Sequence, residues 1–132
     1  MMKDISVPTR KHTEFINITS GIQRAVNEIG IKDGVCYVFT PHTTAAVTIN
    51  ENADPDVTRD IIMELEKMVP WRDAEYHHSE GNSAAHIKSS IVGATETVFV
   101  EDGKLVLGTW QSLYFCEFDG PRTRRVYVKV VG

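Results

Sequence analysis

Three histidines stand where an imidazole can do chemistry. His78 lies in a polar loop, and His86 follows it eight residues later in the first turn of a predicted helix. A loop ligand followed by a helix ligand is half of a workable metal site, because imidazole suits zinc and carboxylates or water complete the shell. His42 follows Pro41 at a predicted strand break, among hydroxyl side chains. The alternative is that all three are ordinary polar side chains that cap or bridge.

Carboxylates and amides form a second polar group at residues 50–56, between a predicted strand end and a predicted helix start. Asp54 is predicted to cap that helix. Glu51 is not needed for a cap, and a carboxylate beside a strand end can bind Mg²⁺ or orient an imidazole. For Glu51, this role and a plain turn role both stay open.

Two cations and a tryptophan suit an anionic, planar ligand. Lys88 lies on the third predicted helix, and Arg122 follows a turn that begins at Asp119. A helix N-terminus, a lysine and an arginine together can hold a phosphate or a carboxylate. Alternatively, Lys88 is solvated and Arg122 pairs with Asp119. Trp110 and Gln111 can form a flat wall for a planar ligand, although a tryptophan in such a protein is more often part of the core.

Three predicted helices must position these groups. The first begins at Ser20, where Gln23 completes a capping-box pattern. The second has Asp54 as its cap and Pro55 at its first position. The third begins at Ser83. Its inward-facing residues are predicted to be Ala84, Ile87 and Ile91.

Short apolar segments around these helices predict about eight strands. Turn signals such as Asp102-Gly103 separate them. Runs of strands with the helices confined to the middle of the chain are typical of the α+β class, not of a doubly wound parallel sheet. Because no stretch has the composition of a linker or a repeat, residues 1–132 are predicted to form a single domain.

Charge and hydropathy exclude several classes of function. The chain has 14 Lys plus Arg against 18 Asp plus Glu, a net charge of −4, whereas nucleic-acid binding calls for a basic surplus. No apolar run approaches the roughly 18 residues of a membrane span, and the N-terminal residues lack the apolar stretch of a signal peptide. We therefore expect a cytoplasmic protein that binds neither nucleic acid nor membranes. Cys36 and Cys116 lie in apolar runs and are predicted to be buried, reduced thiols.

Four separated motifs stand out in chain order: PHTTAAVTINEN from Pro41 with Asp54-Pro55-Asp56, HSEGNSAAHIKSS from His78, LGTWQ from Leu107 and CEFDGPR from Cys116. Together they resemble the YjbQ-type family, which carries the label of secondary thiamine-phosphate synthase. The resemblance implies a two-layer β-sandwich core and a homotrimer with pockets near subunit boundaries. It also implies transfer of a pyrimidinylmethyl group from its diphosphate to a thiazole phosphate.

The resemblance also assigns expected roles to motif residues. His42, His78 and His86 match the family's histidines, and we expect them to bind a divalent metal ion, zinc or magnesium; His42 is alternatively a general base. The expected catalytic residues are Glu51, Glu80, Lys88 and Arg122. The expected substrate-binding residues are Thr43, Asn50, Trp110 and Gln111. The alternative function is a binding protein that captures a small anionic metabolite without chemistry.

Overall fold

Two antiparallel sheets form the body of the molecule in the computed structural model, which describes residues 1–132. The strands are β1 (Met2–Pro8), β2 (Glu14–Asn17), β3 (Gly34–Phe39), β4 (Ala45–Glu51), β5 (Thr95–Glu101), β6 (Lys104–Leu105), β7 (Gln111–Glu117) and β8 (Thr123–Val131). The helices are α1 (Thr19–Ile29), α2 (Pro55–Met68) and α3 (Ser83–Val92). The larger sheet has the order β1-β8-β3-β5-β6 and the smaller one β2-β7-β4. The predicted α+β class is confirmed.

The two sheets face each other across one apolar core. Along β8, Val126, Val128 and Val130 are buried and alternate with less buried neighbours, so this strand has a single core face. Leu113 and Phe115 of β7 enter the same cluster from the smaller sheet. The buried face of α1 also packs into this core. The predicted two-layer sandwich is therefore present.

The smaller sheet is covered on its outer face as well. Cys116 and Phe118 pack there with Ala46 of β4 and Ala85 of α3 in a second apolar cluster. Partly buried residues of α2 and α3 add to it. As a result, β7 is buried along nearly its whole length. Both cysteines, Cys116 and Cys36, are free and buried, as the sequence predicts.

The start of α2 is the one that the sequence predicts. Asp54 Oδ1 accepts a hydrogen bond from the Asp56 backbone N–H at 2.9 Å, and Pro55 occupies the first turn. This cap satisfies one of the free N–H groups at the helix start. None of the three helices is long and apolar enough to cross a membrane.

The capping box predicted for α1 is wrong. The helix begins at Thr19 after the cap residue Ile18, which has no side-chain hydrogen bond to offer, and the Thr19 N–H donates to Asn17 Oδ1 at 3.0 Å. Gln23 instead donates from Nε2 to Gly103 O at 2.9 Å and accepts the Leu105 N–H at 3.0 Å. The amide group thus pairs with two backbone groups at the β5–β6 turn, and its Nε2 also donates to Asn27 Oδ1 at 2.9 Å, so it has three partners where the helix start offers one.

α3 packs against the smaller sheet through its small residues. Ala85 and Ser89 are buried, whereas Ile87 and Ile91 are 38% and 54% exposed. The inward orientation predicted for the two isoleucines is therefore wrong. Small side chains let the helix backbone lie close to the sheet, and Ser89 Oγ donates to Thr43 O at 2.6 Å across that short gap.

Candidate functional site

Two cavities meet at His86 on the first turn of α3. The His42 cavity, about 500 Å³ in volume, is lined by His42, Thr43, Ala45, His86, Ser89, Ser90, Gly93 and Ala94. The His78 cavity, about 400 Å³, is lined by Glu75, Tyr76, His77, His78, Ser83, His86 and Ile87. The structure therefore brings the three predicted histidines to one region of the surface, with His86 shared by both cavities.

A tight turn places His78 beside His86. The Gly81 N–H donates to His78 O at 3.1 Å, and Gly81 has a φ of +75°, which glycine adopts without strain. The two imidazole rings are nearly perpendicular, at 88°, with centroids 5.3 Å apart. The two rings therefore pack against each other edge to face where they line the His78 cavity. No group of three or more His, Cys, Asp or Glu side chains is arranged to hold a metal in this chain.

The imidazole of His42 is anchored to β8. Its Nε2 accepts a hydrogen bond from the Arg125 backbone N–H at 2.9 Å. The carbonyl of Arg125 is also bound, because Thr40 Oγ1 donates to it at 3.2 Å. Burial lowers the pKa of His42, as do the charge of Arg124 and, more weakly, two further arginines, against an opposing effect of Glu117. The ring is therefore neutral at pH 7.

Next to this anchor, β8 contributes half of a buried ion pair. Arg124 and Glu117 are 2% and 0% exposed. Arg124 Nε donates to Glu117 Oε1 at 2.8 Å, and its Nη2 donates to the other carboxylate oxygen and, at 2.8 Å, to Thr44 Oγ1. Burial alone would raise the pKa of Glu117, but hydrogen bonds from Arg124, Thr9 and the backbone outweigh burial and lower it. The pair is therefore ionised and ties β7 and β8 to the start of β4.

Arg122 lies in the turn between β7 and β8. Its Nε donates to Asp119 O at 2.9 Å and its Nη2 lies 3.2 Å from Asp119 Oδ2, so the pairing foreseen as an alternative is present. Asn82 Nδ2 donates to the same Oδ2 at 2.8 Å and joins this turn to the start of α3. The Arg122 side chain remains 50% exposed. The turn needs a glycine at Gly120, because a Cβ there would stand 2.3 Å from Lys11 O.

Lys88 is fully buried and lines neither cavity. Its Nζ lies 2.6 Å from Glu66 Oε1 of α2 and 5.9 Å from the centroid of the Phe118 ring. The lysine thus joins α2 to α3 above the smaller sheet. Because the Lys88 side chain lines neither cavity, the structure offers no contact that supports a catalytic role for it.

Four of the expected residues lie at the far end of β4 from the histidines. Glu51 ends this strand and pairs in register with Gln111, whereas Ala45 begins it. A strand of this length spans about 20 Å. Asn50 and Trp110 lie at the same far end, and the Trp110 ring is largely exposed. Within one chain, these residues are not part of the histidine cavities.

The last two expected residues lie near the histidines. Thr43 lines the His42 cavity, and its carbonyl accepts the Ser89 hydroxyl that holds α3 in place. Glu80 is exposed in the loop that leads from His78 to α3. The residues that sequence reasoning missed are Arg124, Thr44 and Thr9, which form the buried network beside His42.

The fold and the paired cavities define a small α+β protein in which histidines gather where α3 meets the smaller sheet. The family model described as UPF0047 protein YjbQ-like matches residues 3–132. The chain belongs to this family, and the resemblance predicted from its motifs is confirmed.

Relatives and solved structures support the assignment along the whole chain. UPF0047 protein YugU of Bacillus subtilis is 51% identical over 132 residues, covering 100% of both chains. A UPF0047 protein of Methanocaldococcus jannaschii is 49% identical and covers 100% of this chain and 95% of its own. An uncharacterized YjbQ/UPF0047 family protein from Clostridium acetobutylicum superposes with a TM-score of 0.95 at 53% identity, covering 98% of this chain and 99% of that one. A protein of unknown function from Sulfolobus solfataricus also reaches 0.95, at 34% identity, covering 100% and 96%.

Proposed function

We propose that the protein is an enzyme that acts on a phosphorylated small molecule bound in the His42 cavity. The observation that carries the proposal is one cavity lined by His42 and His86, beside arginines whose charge lowers the pKa of His42. Its volume of about 500 Å³ lies within the range of small-molecule sites. Positive surroundings favour an anion, and a phosphate group is the anion that the family resemblance also implies.

The reaction implied by the resemblance fits such a cavity. The bond between the pyrimidinylmethyl carbon and the diphosphate oxygen breaks, and pyrophosphate leaves with the electron pair. The lone pair of the thiazole ring nitrogen then forms the new carbon–nitrogen bond. This step needs the leaving group neutralised and the acceptor oriented. Arg122 is the cation that we assign to the leaving group, because its side chain is 50% exposed at the β7–β8 turn; it is paired with Asp119 and, like Lys88, does not line either cavity.

We assign His78 and His86 as ligands of a divalent ion. Their perpendicular rings provide two nitrogen donors, and nitrogen donors favour zinc over magnesium, which prefers oxygen. Water and phosphate oxygens complete such a shell. When bound, the ion supplies positive charge next to the phosphate group.

A binding protein without chemistry is the second candidate. It is favoured by the absence of any carboxylate from the lining of the His42 cavity, since Glu51 and Glu80 lie elsewhere. Such a protein captures the phosphorylated ligand and releases it unchanged.

Metal analysis together with an assay of pyrophosphate release separates these functions. The purified wild-type protein should contain zinc. When it is mixed with a pyrimidinylmethyl diphosphate and a thiazole phosphate, it should release pyrophosphate. His86→Ala should lose both. For zinc content the matched control is His12→Ala, which should keep its zinc, because the wild-type His12 ring packs edge-on against Trp71, lies 3.8 Å from Asp119 Oδ1 and lines neither cavity. A thermal shift with either phosphorylated compound but no release supports the binding protein, and no shift with any phosphorylated compound refutes the proposal.

We further propose that the protein assembles as a homotrimer through two exposed apolar surfaces. On the outer face of the larger sheet, Tyr37, Phe39 and Phe99 are 43%, 41% and 66% exposed. These rings expose roughly 300 Å² together, comparable with the largest patch on a typical monomer. Ile87 and Ile91 give α3 a second apolar surface. A ring of copies packed head to tail requires two such unlike surfaces on each chain.

Sedimentation equilibrium tests the assembly. The wild type should sediment with three times the mass of one chain, and both Phe99→Asp and Ile91→Asp should yield folded monomers. The control Asn27→Asp adds a charge to an exposed residue of α1, outside both apolar surfaces, and tests whether added charge alone dissociates the trimer. A monomeric wild type at micromolar concentration refutes the homotrimer.

A further inference from the structure

We infer that His42 binds an oxygen atom of the substrate through its Nδ1–H, as a neutral hydrogen-bond donor and not as a metal ligand or a general base. The inference rests on the proposed function, because it names how one side chain of the His42 cavity recognises the anionic ligand. It also assigns the ligand atom: an acceptor oxygen, such as that of a phosphoryl group.

The backbone of β8 determines which nitrogen of His42 carries the proton. The Arg125 N–H can only donate, so the Nε2 that it meets at 2.9 Å must present its lone pair. A neutral imidazole has one N–H and one acceptor nitrogen, and the proton is therefore on Nδ1. Thr40, buried and bonded to the Arg125 carbonyl, holds the same segment of β8 against the β3–β4 connection.

Neither of the other roles is compatible with this contact. A general base needs a free lone pair, and the lone pair of Nε2 is already shared with the Arg125 N–H. A metal ion on Nδ1 would place the remaining proton on Nε2, where two N–H groups would point at each other. That arrangement would lose the hydrogen bond and leave two donors without partners.

The charges around His42 keep the ring in its neutral form. Burial and the guanidinium group of Arg124 lower the pKa of His42, and the opposing carboxylate of Glu117 is itself held by Arg124. Arg122 and Arg125 lower the pKa of His42 further. The ring thus offers an uncharged donor in positive surroundings, which suits an anionic oxygen.

The two serine hydroxyls of the cavity are already engaged. Ser89 Oγ donates to Thr43 O at 2.6 Å, and Ser90 Oγ donates to His86 O at 2.9 Å. The other polar side chains that line the cavity are those of Thr43, His86 and His42. Of these three, His42 is the one whose N–H is fixed by a backbone contact, which makes it the defined donor for a phosphoryl oxygen.

Two substitutions separate the two nitrogens. The amide nitrogen of asparagine is as many bonds from Cβ as Nδ1, so His42→Asn keeps a donor near the ligand and loses the Arg125 contact. The amide oxygen of glutamine is as far from Cβ as Nε2, so His42→Gln keeps the Arg125 contact and loses the donor. A base or a metal ligand would be lost in both variants.

The test uses the full chain with inorganic pyrophosphate as the probe. We expect His42→Asn to bind pyrophosphate within about threefold of the wild type, and His42→Gln to bind about tenfold to a hundredfold more weakly, as for a lost hydrogen bond to a charged group. Equal losses in both variants, or binding that is stronger in His42→Gln than in His42→Asn, would overturn the inference. Thermal melts confirm that each variant is folded.

Nuclear magnetic resonance of the wild type, labelled with ¹⁵N histidine, tests the tautomer without any substitution. Long-range proton–nitrogen correlations should show His42 protonated on Nδ1 alone. Protonation on Nε2, or on both nitrogens at pH 7, would overturn the inference. If the wild type fails to bind pyrophosphate, the proposed function loses its support, whereas the tautomer is still decided by the spectrum.

Discussion

Replacing Glu117 by glutamine should destabilise the protein far more than the same change at an exposed ion pair. Glu117 and Arg124 have side chains that are 0% and 2% exposed, so the substitution leaves a buried guanidinium without its counter-charge. Removing one partner of a buried pair costs about 3–5 kcal/mol, whereas an exposed pair is worth about 0–1 kcal/mol. Glu28→Gln is the matched control, since Glu28 is 62% exposed and pairs with Lys3 at 3.1 Å.

The pH dependence of stability gives a second signature of the same pair. Because the pKa of Glu117 is lower in the folded protein than its ordinary value of 4.5, its stabilisation is complete above pH 4.5. It is lost as the pH falls from there through the folded pKa. The free energy of unfolding of the wild type should therefore decrease below pH 4.5, and that of Glu117→Gln should decrease less steeply.

Urea denaturation followed by circular dichroism, at pH 7 and at several lower values, measures both effects. The double variant Glu117→Met with Arg124→Met should recover part of the loss, since apolar residues of similar volume often replace a buried pair without cost. The reasoning is refuted if Glu117→Gln loses no more stability than Glu28→Gln and keeps the pH profile of the wild type.

Three other predictions follow from buried groups. Gly120→Ala should cost about 1–3 kcal/mol, because the new Cβ would stand 2.3 Å from Lys11 O; a melting temperature equal to that of the wild type would contradict this. Lys88→Met should fold and still bind pyrophosphate, since the ammonium group pairs with α2; a folded variant without binding would restore its expected catalytic role. Neither thiol should react with Ellman's reagent at pH 7 before unfolding, because burial raises the pKa of Cys36 to about 11 and also raises the pKa of Cys116.

Local signals in the sequence predicted those elements whose ends depend on neighbouring residues. Asp54 and Pro55 mark the start of α2 because the cap is made by the residues themselves. The capping box at Gln23 failed for the opposite reason, since its partners on the β5–β6 turn are about 80 positions away in the chain. The predicted buried face of α3 was wrong for Ile87 and Ile91, because periodicity alone cannot tell whether Ile87 or Ser89 contacts the sheet.

Part of the candidate site was within reach of sequence reasoning. Arg124 shares the core-facing side of β8 with Val126 and Val128 under two-residue periodicity, and an arginine on a core face requires a buried partner. The identity of that partner, Glu117, follows only from the pairing of β7 and β8 with their neighbours. The sequence does not reveal that His42 and Glu51 are far apart, because both belong to one continuous motif. In the structure, β4 separates the two ends of this motif by about 20 Å.

The buried ion pair and the orientation of His42 depend on the same segments. Thr40 and Thr44 flank His42 in the chain, and each is bonded to β8, the first to Arg125 and the second to Arg124. The β3–β4 connection is therefore held on both sides of the imidazole. Glu117→Gln removes the carboxylate that positions the Arg124 guanidinium, so the Thr44 contact should weaken.

Loss of the Thr44 contact should loosen the β3–β4 connection and weaken the hydrogen bond between the Arg125 N–H and His42 Nε2. The Nδ1–H of His42 would then be less well oriented toward the ligand. We expect Glu117→Gln to weaken pyrophosphate binding about twofold to threefold, no more than His42→Asn, in urea-free buffer where circular dichroism verifies the folded fraction. Arg24→Gln, an exposed change that keeps both threonine contacts, is the control. Unchanged affinity in folded Glu117→Gln would mean that the buried pair stabilises the fold without positioning the imidazole.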